Sequence, residues 1–150
     1  MKVKNTLEQI AEDIKACTLC ELRQNATCPV PGFGSEGATY YLLGEGPGAN
    51  EDAEGVPFVG AAGRKLDQLL ALANIDPNDV YVANTVRCRP PANRTPKKKE
   101  IQQCANFVWR ELKILKPKIV ITLGSTALSL FSAHGLMQVH GTRFEFDLPD

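Results

Sequence analysis

Three short apolar runs, each closing on a glycine or asparagine, constrain this chain more than any other feature. They are Tyr40-Tyr41-Leu42-Leu43 before Gly44, Val80-Tyr81-Val82-Ala83 before Asn84, and Ile119-Val120-Ile121-Thr122-Leu123 before Gly124. None alternates apolar with polar residues, so each predicts a strand covered on both faces. Helical periods lie between them. Leu66, Leu69, Leu70 and Ala73 mark one from Ala61 to Ile75, and Ile101, Cys104, Phe107, Val108, Leu112 and Leu115 mark another from Glu100 to Leu115. Strands alternating with helices predict a three-layer α/β/α sandwich around a mostly parallel central sheet. Ligands in such sheets bind beyond the carboxyl ends of the strands. Those ends carry Gly44-Glu45-Gly46-Pro47-Gly48, Asn84 and Gly124-Ser125.

The remaining segments read more simply. Leu7, Ile10 and Ile14 predict a short helix ending near Cys17, opened by a capping box from Thr6 to Gln9. Prolines and glycines predict a loop over residues 21–38, an irregular segment after Gly48 and a basic loop from Arg87 to Lys99. Ser125 is the expected N-cap of a short helix through Phe131. The 150 residues fit one domain, 1–150.

Seventeen basic and seventeen acidic residues cancel, which argues against the strongly basic footprint of many nucleic-acid binders. A local basic patch can still attract phosphate. No apolar stretch approaches the length of a membrane span, and the N-terminus has no apolar signal region. The expectation is a cytoplasmic protein with no membrane partner. In that reducing compartment the five cysteines are not expected to pair as disulfides, and metal binding leads.

Cys17 and Cys20 form a C-x-x-C pair, while Cys88 and Cys104 follow from separate segments. Four thiolates could close an all-cysteine site, as [4Fe–4S] clusters require. Zinc accepts the same donors, and spacing alone does not choose between them. Inert buried thiols are the plain alternative. A thioredoxin-like role is weaker, because this C-x-x-C ends a helix instead of opening one. Cys28 reads as a free cysteine. The glycine loop after the first strand is not G-x-G-x-x-G, and Pro47 removes a backbone donor. Glu45, Glu51, Asp52 and Glu54 also place negative charge where a phosphate would need the opposite, so a dinucleotide or ATP site is disfavoured.

Longer motifs are more specific. The run Gly44 to Asp52 is followed by Gly55-Val56-Pro57-Phe58-Val59-Gly60 and Ala62-Gly63. Then come Asn84-Thr85-Val86-Arg87-Cys88-Arg89-Pro90-Pro91 and Asn93-Arg94-Thr95-Pro96. These resemble, in order and over nearly the whole chain, the family 4 uracil-DNA glycosylases of bacteria and archaea, which carry a [4Fe–4S] cluster. The resemblance implies a uracil-DNA glycosylase-like fold and base-excision repair: hydrolysis of the N-glycosidic bond of uracil in DNA. It makes Cys17, Cys20, Cys88 and Cys104 the ligands of a mainly structural cluster, with zinc the lesser candidate. Glu45, Gly46 and Pro47 match the first uracil-site motif, Phe58 the aromatic that stacks on the flipped base, and Asn84 the reader of its Watson–Crick edge. Glu51 matches the position that crowds C5 and excludes thymine. Glu45, Glu51 and Asn93 are the candidates for assisting the chemistry. Related glycosylases of another family carry an aspartate where Gly46 stands. Arg87, Arg89, Arg94, Lys97, Lys98 and Lys99 would form a basic edge for phosphates.

The family continues past a strand like Arg143-Phe144-Glu145-Phe146 to a further strand and a His-Pro motif. This sequence ends at Asp150 without them. His134 and His140 precede the matching point and take no such role. The expectation is the major part of a longer protein, monomeric, acting on uracil-containing DNA, with replication or repair proteins as candidate partners. Two alternatives stand beside it: a non-catalytic module binding uracil or damaged DNA on the same scaffold, and an unrelated nucleotide-binding α/β protein.

Overall fold

The computed structural model describes residues 5–150. Helix α1 (Leu7–Lys15) and a single turn α2 (Leu22–Asn25) precede a two-residue strand β1 (Phe33–Gly34). Strand β2 (Tyr40–Gly44) leads to α3 (Ala49–Glu54) and α4 (Ala61–Leu72), then to β3 (Val80–Asn84). The long helix α5 (Lys98–Leu115) is followed by β4 (Ile119–Thr122) and the short turns α6 (Ser125–Leu128) and α7 (Leu136–Val139).

The sheet order is β1-β3-β2-β4. β2 lies between β3 and β4, parallel to both, in a register that pairs Tyr40 with Val80 and with Ile119. β1 pairs antiparallel with β3. Successive strand residues go to opposite faces. Tyr41, Leu43, Tyr81 and Ala83 pack against Val108, Leu112 and Leu115 of α5. Leu42 and Val80 pack against Leu66 and Leu70 of α4. Both faces of β2 and β3 are therefore covered, which is why they carry no polar alternation; β4, at the sheet edge, is only half-buried, with Ile119 43% exposed, so the expectation of full coverage fails there. A third cluster lies where α1 meets α5: Ile10, Ile14, Leu22, Val86 and Phe107, with Cys88 and Cys104. Arg110 on α5 ties the two helices with a 2.6 Å ion pair to Asp13.

Several sequence expectations need correction. Residues 21–38 are not all loop, since they hold α2 and β1. The segment after Gly48 is helical through Glu54 and stops at Gly55, whose positive φ of 71° suits a glycine C-cap. α4 ends at Leu72, short of Ile75, because Asn74 turns left-handed at φ 59°. Gly124, not Ser125, is the N-cap of α6, which ends at Leu128. Thr6 does accept the Gln9 N–H, but the Gln9 side chain turns to Asp13 instead of closing the box.

Candidate functional site

The carboxyl ends of β2 and β3 are held together before any ligand group is placed. Thr85 donates both its backbone N–H, at 2.8 Å, and its hydroxyl, at 2.7 Å, to the Gly44 carbonyl. The Val86 N–H reaches the Glu45 carbonyl at 3.1 Å. Beyond these ends opens a cavity of about 530 Å³. Glu45, Glu51, Phe58, Asn84, Lys65 and Leu123 are among its lining residues.

Asn84 is 5% exposed, and among the described residues its side-chain amide has no hydrogen-bond partner. The amide lines the cavity, where both its donor and its acceptor are open to something that enters. Phe58 stands beside it. A methyl group added at Gly44 would lie 2.7 Å from Asn84 Oδ1 and 2.7 Å from Phe58 Cζ. The glycine is thus required by close approach, and it brings the amide and the ring to one floor. Phe58 itself has φ 57°, an uncommon conformation for a bulky residue. α4 is set directly on it: a Cβ at Gly63 would fall 1.8 Å from the Phe58 carbonyl oxygen. The chain around Phe58 is therefore fixed by the start of α4.

The acidic residues of the glycine loop have three separate fates. Glu45 is exposed, and one of its carboxylate oxygens accepts a 2.6 Å hydrogen bond from the buried Thr126 hydroxyl on α6. Glu51 is 8% exposed and accepts the Gly60 N–H at 3.2 Å, which satisfies the start of α4. Asp52 is 6% exposed and accepts from the Thr27 and Cys28 N–H groups at 2.8 and 3.3 Å. Helix ends and turns supply the donors that draw the Glu51 and Asp52 carboxylates inward. Gly46 lines the cavity, and Pro47 is buried outside the lining. A side chain at position 46 would collide with Val86 Cγ2 at 2.9 Å, so packing against that residue also demands glycine there.

The basic segment divides as well. Arg87 is 1% exposed and forms two hydrogen bonds to Glu111, at 2.6 and 2.8 Å. It is not a phosphate contact; the ion pair in the core has claimed it. Arg94 is half-buried against Glu100, whose carboxyl its hydrogen bonds hold below the usual range. Arg89 donates to Asn93 Oδ1 at 2.8 Å. Asn93 is exposed and does not line the cavity. Lys97, Lys98 and Lys99 are exposed.

Cys17, Cys20, Cys88 and Cys104 converge in the cluster between α1 and α5. All five cysteines are unpaired, and Cys28 stands apart from the other four in the loop pinned by Asp52. Among the described residues, no three His, Cys, Asp or Glu side chains are grouped closely enough for a single metal ion. Burial pushes the Cys88 thiol up to about 12, and the neighbouring sulfurs push the same way. Burial also raises Cys104, to about 11, against the opposing pull of Arg87. A metal that binds Cys88 and Cys104 must displace the protons of those two thiols.

Residues 31–147 match the family described as the uracil DNA glycosylase superfamily. The chain belongs to the uracil DNA glycosylase superfamily. A type-4 uracil-DNA glycosylase of Thermotoga maritima is 44% identical over 125 residues, 83% of this chain and 65% of that protein. One of Pyrobaculum aerophilum is 41% identical over 139 residues, 93% of this chain and 68% of that protein. A type-5 uracil-DNA glycosylase of Thermus thermophilus is 37% identical over 121 residues, 71% of this chain and 55% of that protein. Against the type-4 relatives the chain spans 55% to 68% of their length.

Within this glycosylase-superfamily fold, three positioning residues had no signal in the sequence. Thr85 joins the two strand ends, Thr126 holds Glu45, and Glu111 holds Arg87. Each lies in an ordinary helical or strand-end context. Its partner is 24 to 81 positions away along the chain.

Proposed function

We propose that this protein excises uracil from DNA. Water cleaves the bond between uracil N1 and the deoxyribose C1′, releasing uracil and leaving an abasic site. The supporting observation is the Asn84 amide: carried on a buried residue, open to the cavity, unpartnered among the described residues, and beside Phe58 at the floor. An amide both donates and accepts, so it can pair with the uracil edge and reject cytosine. Phe58 offers a face for an extruded base, which enzymes of this kind take out of the stack. Glu45, oriented by Thr126, stands at the cavity where it can face the sugar cation or orient water. Position 46 carries no carboxylate, so stabilising the departing uracil anion and the sugar cation takes a larger share of catalysis. Glu51 acts by fixing the start of α4 beside the cavity.

The all-sulfur set of Cys17, Cys20, Cys88 and Cys104 fits the chemistry of a [4Fe–4S] cluster, the proposed occupant. When bound, such a cluster would cross-link the turn after α1, the loop after β3 and α5. Arg89, Lys97 and Lys98, with the remaining free surface of Arg94, would then meet phosphates along one rim. Five unpaired cysteines fit a reducing compartment, and the cytoplasm is the proposed location.

The test is release of free uracil from a uracil-containing oligonucleotide, in single- and double-stranded form, against a thymine control. Release is expected from the wild-type protein and its loss from Asn84→Ala. Salt-dependent DNA binding without release, from this chain and from any longer form of it, would favour the binding-module alternative.

A further inference from the structure

Arg87 sits one residue before Cys88 and is among the most deeply buried side chains of the protein. Its two Nη groups meet both oxygens of Glu111, which is 1% exposed. Tyr41, fully buried, donates its hydroxyl to the same carboxylate at 2.6 Å and stacks on Tyr81 with ring centroids 5.7 Å apart. The pairing is incomplete on one side. Among the described residues, Arg87 Nε is the buried side-chain polar atom with no partner. An orphaned buried donor asks for an acceptor that the protein chain itself does not supply.

The surroundings indicate where that acceptor lies. Arg87 is bonded through the chain to Cys88, and its partner Glu111 lies seven residues along α5 from Cys104. Cys88 and Cys104 share the apolar cluster that also gathers Cys17 and Cys20. Both Glu111 oxygens face the guanidinium, which stays charged in a protein. A buried cation with a spare N–H thus adjoins one of the four cysteines in the chain and is paired to the helix that carries another. Net charge and hydrogen bonds to sulfur are what set the reduction potential of an iron–sulfur cluster.

We propose that Arg87 is a positioning residue for the cysteine-bound cluster, its buried positive charge holding the cluster's reduction potential up. Glu111 and Tyr41 set how much of that charge the cluster feels. The inference rests on the reading of the four cysteines as iron–sulfur ligands. It assigns no electron transfer to the repair reaction; it concerns the energy of adding one electron to the cluster, supplied in the test by an electrode.

The test measures midpoint potentials of the full chain purified without oxygen, alongside its iron and sulfide content. Arg87→Met removes the cation and is expected to lower the potential by about tenfold in the reduction equilibrium, about 59 mV for one electron. Glu111→Gln keeps the shape but removes the opposing charge and is expected to raise it. Arg87→Lys keeps the charge and is expected to stay nearer the wild type than Arg87→Met. A merely structural pair would loosen both variants without this opposition of sign. If Arg87→Met fails to fold, Glu111→Gln and Arg87→Lys still decide. Loaded protein whose potential is unmoved by Glu111→Gln, or lowered by it, would overturn the inference. A wild-type chain that never takes up iron and sulfide would defeat the cluster reading, and this inference with it.

Discussion

The cleft beyond β2 and β3 and the cysteine region between α1 and α5 are built from one continuous segment, Asn84 to Cys88, yet they treat polar groups in opposite ways. In the cleft, the Asn84 amide has no partner among the described residues, and Glu45 keeps one oxygen unengaged by Thr126. Three residues further on, Arg87 is matched to Glu111, which also accepts from Tyr41, and the group is sealed from water. An unmet polar group on an open cavity is an invitation to a ligand. A matched one in the core is part of the scaffold, and only its spare Nε–H departs from that pattern.

The largest expected effect breaks the scaffold side. Arg87→Met strands the Glu111 carboxylate in the core and should cost about 3–5 kcal/mol of stability, read from urea unfolding. Exchanging both partners for apolar residues should recover most of that loss, since no buried charge then remains unpaired. On the cleft side, Asn84→Ala should lower the rate of uracil release by about 10²–10³-fold while leaving the unfolding midpoint nearly unchanged. A fall in both would mean that Asn84 belongs to the scaffold after all. Gly44→Ala sharpens the comparison, because its methyl meets both Asn84 and Phe58. Overpacking of this kind costs about 1–3 kcal/mol, and the expected readout is weakened binding of free uracil together with a modest loss of stability. Asp52→Ala frees the Thr27 and Cys28 N–H groups and should cost about 1–2 kcal/mol with uracil release kept. The smallest effect belongs to Lys98→Ala, expected to reduce the slope of log affinity against log salt by about one.

The three parallel strands and the two long helices were legible from their apolar pattern, whereas the exposed two-residue β1 was not. Phe58 and Asn84 were legible through the order of the motifs around them, and the structure sets both on the floor beside Gly44. The charged residues were read less well. Arg87 stands in a run of basic residues with nothing to distinguish it from Arg89. Glu51 and Asp52 look like their exposed neighbour Glu54. In each case the partner that decides exposure comes from elsewhere: Glu111 for Arg87, the start of α4 for Glu51, and the Thr27–Cys28 turn for Asp52.

By itself the sequence determined the alternation of buried strands and amphipathic helices, since hydrophobic period is a local property of the chain. It also supplied the four sulfurs and the amide, because chemical type travels with the residue. Only the tertiary structure decided which charges face water, which are spent on one another, and which amide is left open toward a cavity. Those outcomes depend on distances between segments far apart in the chain, and electrostatic and hydrogen-bond energies fall off within a few ångströms of the partner.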